Sequence, residues 1–166
     1  MTTLLPPTLD ATLFHAALPP TGALIGLDLG TKTIGVALSD GNRVIGSAML
    51  TIRRVKFTPD AQALIKLATE NAVVGYILGY PLNMDGSEGP RAQSTRAFAK
   101  SFQNLAELPI LFWDERLSTV AAERMLIEAD RSRKRRAEVI DKTAAAIILQ
   151  GALDRLAAIG RMQDEV

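Results

Sequence analysis

The run Ala23-Leu-Ile-Gly-Leu-Asp28-Leu-Gly30-Thr-Lys32-Thr-Ile-Gly35-Val-Ala-Leu-Ser39-Asp40-Gly41 decides the fold. Its first six residues read as an apolar strand ending in an acid. Leu29–Lys32 reads as a turn and Thr33–Ser39 as a second strand. Asp40-Gly41 is a turn signal of the hairpin kind, and Val44–Ile52 supplies a third strand. Three consecutive strands with tight turns predict an antiparallel meander.

Beyond the meander the period changes. Thr58-Pro59-Asp60 opens a helix: threonine suits the cap, proline the first helical position, and aspartate the helix dipole. Leu64, Ile65, Leu67 and Ala68 give that helix its apolar face. Ala72–Gly79 is a short, nearly all-apolar run, as in a strand covered on both faces. Tyr80–Pro90 is a loop, and a second helix runs from Arg91 to about Gln103. Ile110–Trp113 is a fifth strand, followed by Asp114-Glu115-Arg116. Ser118 or Thr119 caps a third helix to about Ala129, and Val139 opens a long alanine-rich helix to about Ile159. The order β-β-β-α-β-α-β-α-α predicts an α/β fold. Its mixed five-stranded sheet has three antiparallel strands, then α-linked parallel strands, with helices on its faces. This is the topology of ribonuclease H-like domains.

The 166 residues suffice for one domain with a full core. Residues 1–21, with Pro6, Pro7, Pro19 and Pro20, read as a flexible N-terminal extension with a helical turn around Ala11–Ala17. Residues 22–160 form the domain and 161–166 a C-terminal tail. No run of about 18 uninterrupted apolar residues occurs, and the N-terminus lacks the pattern of a secretory signal. The expectation is therefore a chain with no membrane partner. Cysteine is absent, which excludes disulfides, thiolate catalysis and Cys-ligated zinc or iron–sulfur clusters. His15 is the single histidine, and it reads as a packed or surface residue. Chemistry is left to carboxylates, hydroxyls, lysine and arginine, which favours hard cations with oxygen ligands.

Asp28 stands in an apolar strand. A carboxylate there must be paired, hydrogen-bonded or metal-bound; local backbone N–H groups or a metal would both serve. Asp114 and Glu115 follow the fifth strand, where α/β sheets present ligand-binding residues. Side chains alternate along an extended backbone, so only one of the two reaches the site of Asp28. Asp141 falls in the first turn of the alanine-rich helix and reads either as an acid offsetting the helix dipole or as a third site carboxylate. Its helix has small residues that permit close docking on the sheet. Three such acids can surround one or two Mg²⁺ ions for phosphodiester cleavage. Net charge is only +1, yet Arg131, Arg133, Lys134, Arg135 and Arg136 lie within six positions. That segment reads as a solvated flexible loop or as a phosphate-contacting patch. Arg91, Arg96 and Lys100 either extend this track or form an ordinary polar helix face. Trp113 reads as core.

Four motifs in order resemble the YqgF/RuvX family of pre-16S rRNA nucleases, also called Holliday junction resolvase-like proteins. They are Gly26–Asp40, Gly79-Tyr-Pro81-Leu-Asn83-Met-Asp85-Gly86-Ser-Glu-Gly89, Asp114-Glu-Arg-Leu-Ser-Thr119, and Ile140-Asp141-Lys-Thr-Ala-Ala145 with Ile148-Leu-Gln150. Thr33 and Tyr80 depart from the residues common in that family. The resemblance implies a cytoplasmic nuclease that cleaves structured nucleic acid and matures the 5′ end of the 16S rRNA precursor. It implies Asp28, Glu115 and Asp141 as catalytic residues and ligands of Mg²⁺ or Mn²⁺, one or two ions. Lys32, Arg116, Arg131, Arg133, Lys134, Arg135 and Arg136 are the nucleic-acid contacts, and Asn83 and Asp85 shape the site loop. Junction resolvases bring a fourth acid; here Ala144 stands one turn after Asp141, and Glu138 or Asp114 are the substitutes at hand. Expected partners are pre-rRNA or branched DNA and ribosomal particles, with a monomer or homodimer as the working form. Alternatives are a Holliday junction resolvase acting on DNA and a non-catalytic nucleic-acid-binding protein. Asp-Leu-Gly-Thr-Lys also resembles the first phosphate motif of the actin, Hsp70 and sugar-kinase superfamily, which needs two such domains.

Overall fold

The structure, a computed structural model, describes residues 3–118 and 133–165, and in the last helix it describes side chains from Lys142 onward. Strands β1 (Ala23–Leu29), β2 (Thr33–Ser39), β3 (Gly46–Arg53), β4 (Val73–Tyr80) and β5 (Ile110–Asp114) form one sheet in the order β3-β2-β1-β4-β5. The β3-β2-β1 pairs are antiparallel, while β1-β4 and β4-β5 are parallel. Helices α1 (Ala11–Ala17), α2 (Phe57–Glu70), α3 (Pro90–Ala106) and α4 (Arg133–Asp164) complete the described elements. The expected mixed five-stranded sheet is present.

The sheet is buried on both faces, which explains the unbroken apolar runs of β1 and β4. On one side Ile25, Leu27, Tyr76 and Leu78 pack with Leu64 of α2 and with Phe98 and Phe102 of α3. On the other, Leu24, Ile77 and Leu111 pack against Ala145, Ile148, Leu149 and Ala152 of α4. Alternation along β1 puts Leu24, Gly26 and Asp28 on the α4 side. Gly26 makes the close approach possible: a Cβ there would stand 2.7 Å from Leu149 Cβ and 2.9 Å from the Ala145 carbonyl oxygen. Lys142–Asp164 is long and apolar enough to cross a bilayer, with mean hydropathy 1.3. Its apolar face is the one packed on the sheet.

Several boundaries differ from the sequence reading, each for a local reason. β3 starts at Gly46 because the Asp40 carboxylate accepts the N–H groups of Val44 and Ile45 and holds both in the turn. α2 starts at Phe57 with Lys56 at its cap and no side-chain cap bond, so Thr58 does not cap it. α4 starts at Arg133, not Val139. Arg133–Arg136 is therefore helix rather than loop, and Asp141 lies in the third turn, too deep for the first-turn dipole role. The third helix expected from Ser118 or Thr119 to Ala129, and Arg131, fall outside the described residues.

The N-terminal stretch packs on the domain. Asp10 caps α1 by accepting from Thr12 and Leu13. Thr8 bridges Leu111 in parallel, extending the sheet past β5. Phe14 is fully buried beside α4.

Candidate active site

Asp28 is 2% exposed. It pairs with Gly35 of β2, and the β1-β4 register, Gly26 with Ile77 and Leu27 with Leu78, sets it alongside Gly79. A Cβ on Gly79 would lie 2.6 Å from Glu115 Oε1 and 2.5 Å from Ile148 Cδ1. The Glu115 carboxylate therefore occupies the space above Gly79 on the α4 side of the sheet, about one strand spacing (~5 Å) from Asp28. Two acids 87 positions apart in the chain, one on β1 and one just past β5, meet across the carboxyl end of β4, which lies between those strands.

Glu115 gets there through a turn. β5 ends at Asp114, and Glu115–Leu117 forms a single 3₁₀ turn. The Asp114 carboxylate accepts the Arg116 N–H at 3.0 Å, capping that turn. The Arg116 guanidinium then closes on the same carboxylate, with Nε at 3.0 and 3.1 Å and Nη2 at 2.7 Å. These bonds hold the Asp114 carboxyl below its ordinary range. The pair turns Asp114 away from the site as it turns Glu115 in, so the two side chains diverge as expected. Arg116, read as a nucleic-acid contact, also donates Nη1 to the Met84 carbonyl at 3.3 Å. Its fork ties the turn to the Pro81–Gly89 loop.

That loop is held at both ends. Asn83 Nδ2 donates to Ser87 Oγ at 3.0 Å, and Asp85 Oδ1 accepts from Ser87 N at 2.9 Å and Ser87 Oγ at 2.6 Å. Gly86, at φ +88°, supplies the left-handed residue of the Asp85-Gly86 turn. At the loop's base the Tyr80 hydroxyl donates to Glu88, and Arg96 of α3 donates to both. The Tyr80 hydroxyl and the Arg96 guanidinium, as donors to Glu88, pull its carboxyl below the ordinary range. Burial, then the Glu88 bond, raises the Tyr80 hydroxyl. The sequence reading missed this cluster. Arg96 belongs to it rather than to an open basic track. The available signal was Glu88 just before Pro90, with Arg96 two helical turns beyond it.

Lys32 is exposed in the β1-β2 turn, four residues past Asp28. Gln150 of α4 donates to the Val44 carbonyl, and Gly160 approaches His15, at the far end of the sheet. The earlier residues of α4 thus run toward the Asp28 end, with position 141 one turn before Ala145. The Asp141 side chain lies outside the described residues, as do those of Arg133, Lys134, Arg135 and Arg136. Among the described residues no group of three His, Cys, Asp or Glu side chains forms. Those that do converge, Asp28 and Glu115, are oxygen donors suited to a hard cation, and the missing side chain of Gly79 is what lets the Glu115 carboxylate lie over the strand beside Asp28. Trp113 packs as core, its indole edge against Gly151.

The profile of the RuvX family, described as Holliday junction resolvase, matches residues 22–155. A Paracoccus denitrificans protein named "Putative pre-16S rRNA nuclease" is 68% identical over 150 residues, spanning 90% of this chain and 95% of its own. A Ruegeria pomeroyi protein of the same name is 64% identical over 143 residues, 86% and 93% of the two chains. Among solved structures, Thermus thermophilus RuvC in complex with a Holliday junction substrate superposes with TM-score 0.53 at 8% identity, over 83% of this chain and 97% of that one. The yeast mitochondrial Holliday junction resolvase Ydc2 gives 0.52 at 13%, over 93% and 87%. These two likenesses are of fold.

Proposed function

We propose that this chain, which belongs to the RuvX family, is a nuclease that hydrolyses phosphodiester bonds at the Asp28–Glu115 pair. The carrying observation is the placement of the Glu115 carboxylate over Gly79, on the strand beside Asp28. Asp28, Glu115 and Asp141 would hold Mg²⁺ or Mn²⁺. When bound, such an ion supplies an activated water and charge stabilisation for the leaving oxygen. The chain's own residues do the rest. Burial of Asp28 fixes one carboxylate, and the Asp114–Arg116 pair fixes the direction of the other. Lys32 is exposed at that end of the sheet, and α4 runs toward it from a sequence rich in arginine and lysine, a composition that suits a phosphate backbone.

The favoured substrate is precursor 16S rRNA in the cytoplasm, on free RNA or ribosomal particles, because relatives 64–68% identical over most of their length carry that name. A four-way DNA junction is the second reading, favoured by the family description and the resolvase-like fold. A junction resolvase would act as a homodimer, with two sites on a two-fold axis.

One assay separates them: cleavage of a precursor rRNA fragment and of a four-way DNA junction with Mg²⁺ or Mn²⁺, with Asp28→Asn as control. Metal-dependent cutting of the RNA, lost in Asp28→Asn while nucleic-acid binding is kept, is the expected result. Equal cleavage by variant and wild type overturns the assignment.

A further inference from the structure

A cavity of about 300 Å³ opens at the β5 edge of the sheet, beside the turn that carries Glu115, with Leu9, Asp10, Leu111, Trp113, Leu117 and Arg155 in its walls. We propose that it receives the base of one unpaired nucleotide next to the scissile phosphodiester, an inference that rests on the nuclease reading above. Position is the first argument. Trp113 is the register partner of Gly79, the residue beneath Glu115. The cavity wall is therefore one strand spacing, about 5 Å, from the strand under Glu115 and two, about 10 Å, from Asp28 on β1. A strand whose phosphate sits at the acids passes the cavity mouth with its neighbouring nucleotide.

Chemistry is the second. The indole of Trp113 with Leu9, Leu111 and Leu117 makes an apolar slot, and aromatic walls of this kind hold single bases with little regard to sequence. Leu117 is 68% exposed, apolar surface that a base would cover. Both bonds that Asp10 makes as a cap use Oδ1. Its Oδ2 is an acceptor for a ribose hydroxyl or an exocyclic amine. Asp114 is neutralised by Arg116. Arg155, exposed at the rim, makes no ion pair among the described residues and suits the adjoining phosphate. The Leu9–Thr12 wall is anchored from behind by the Thr8–Leu111 bridge and by buried Phe14. A base inside a duplex is stacked and paired, so the slot selects a single-stranded or extruded nucleotide.

Trp113 is the sole tryptophan, so its emission reports on the cavity alone. The probe is a hairpin RNA with a single-stranded 5′ extension, bound by full-length Asp28→Asn protein. An abasic site is moved along the extension one nucleotide at a time. Intact RNA should quench Trp113. One abasic position should abolish the quench and weaken binding, read by anisotropy, about tenfold. Arg155→Ala should weaken binding of the intact RNA and narrow the difference made by that abasic site. Unchanged quenching at every abasic position, or equal quenching by a blunt duplex, overturns the cavity proposal and leaves Asp28-dependent cleavage standing. Absence of any RNA binding by anisotropy overturns the cavity proposal together with the rRNA reading of the substrate.

Discussion

A methyl group on residue 79 would collide with Glu115 Oε1 at 2.6 Å and Ile148 Cδ1 at 2.5 Å. Ile148 is fully buried between sheet and helix and does not move without disturbing the packing, whereas the half-buried Glu115 carboxylate can swing aside. Gly79→Ala should destabilise the fold by about 1–3 kcal/mol, the usual cost of overpacking, and should also displace the carboxylate. The double variant Gly79→Ala, Ile148→Val removes Cδ1 and tests the two effects separately. Denaturant unfolding should show stability partly regained, while cleavage stays lost. Recovery of cleavage together with stability would mean that Glu115 is not held in place by the absence of a side chain at 79. A second residue-scale expectation concerns Asp114, whose carboxyl is held low chiefly by the hydrogen bonds of Arg116. A depressed carboxylate stabilises the folded state at pH above its ordinary value of about 3.9. That contribution is lost as pH falls through the lowered folded value. The stability difference between wild type and Asp114→Asn should therefore be constant near neutrality and shrink below about pH 4. A difference that persists into strong acid would mean the pair contributes nothing through charge. At this scale Asp28 and Glu115 were legible, because an acid in or just after an apolar strand is conspicuous. The Tyr80–Glu88–Arg96 cluster was not. It depends on a loop folding back so that an arginine two turns into α3 meets a loop acid, and no hydrophobic period encodes that.

At the scale of elements, the strands were readable because burial on both faces imposes continuous apolar runs. The helix starts were less so. Arg133–Arg136 has no apolar stripe, so it looks like a loop, yet arginine and lysine are good helix formers and continue the helix that packing secures from Ala144 onward. The consequence is testable. Charges on a helix are spaced along a rigid rod rather than spread over a mobile loop. With Arg133, Arg135 and Arg136 replaced by alanine, helicity should survive, since alanine has the highest helix propensity. Nucleic-acid binding should weaken with its salt dependence. The slope of log K against log salt should fall by roughly 2–3, given about 0.7–0.9 per phosphate contact. An unchanged slope in a titration from low to moderate salt would remove this turn of α4 from the binding surface.

For the whole molecule, the least expected feature is how the first 21 residues are used. Proline-rich and without period, they resemble an appendage, but the last strand of the sheet would otherwise present a bare edge. Thr8 accepts from Phe112 and donates to Ile110, lengthening the ladder by one bridge. Phe14 then fills the space over Gly75, where an added Cβ would meet its ring at 3.0 Å and Leu18 at 3.2 Å. A glycine on the sheet, an aromatic on α1 and the end of α4 thus fit as one unit, and none of the three signals that fit alone. Phe14→Ala should leave a cavity between α1, β4 and α4 and cost about 3–5 kcal/mol. Loosening α1 should also free the Thr8 bridge, so amide exchange at Ile110–Phe112 should quicken while β2 stays protected. If Phe14→Ala unfolded at the wild-type denaturant midpoint with β5 amides still slow, the N-terminal stretch would be ornament rather than part of the core. The same loss of anchoring would blunt the Trp113 quench without touching Asp28 or Glu115, so stability, exchange and fluorescence should move together in this variant.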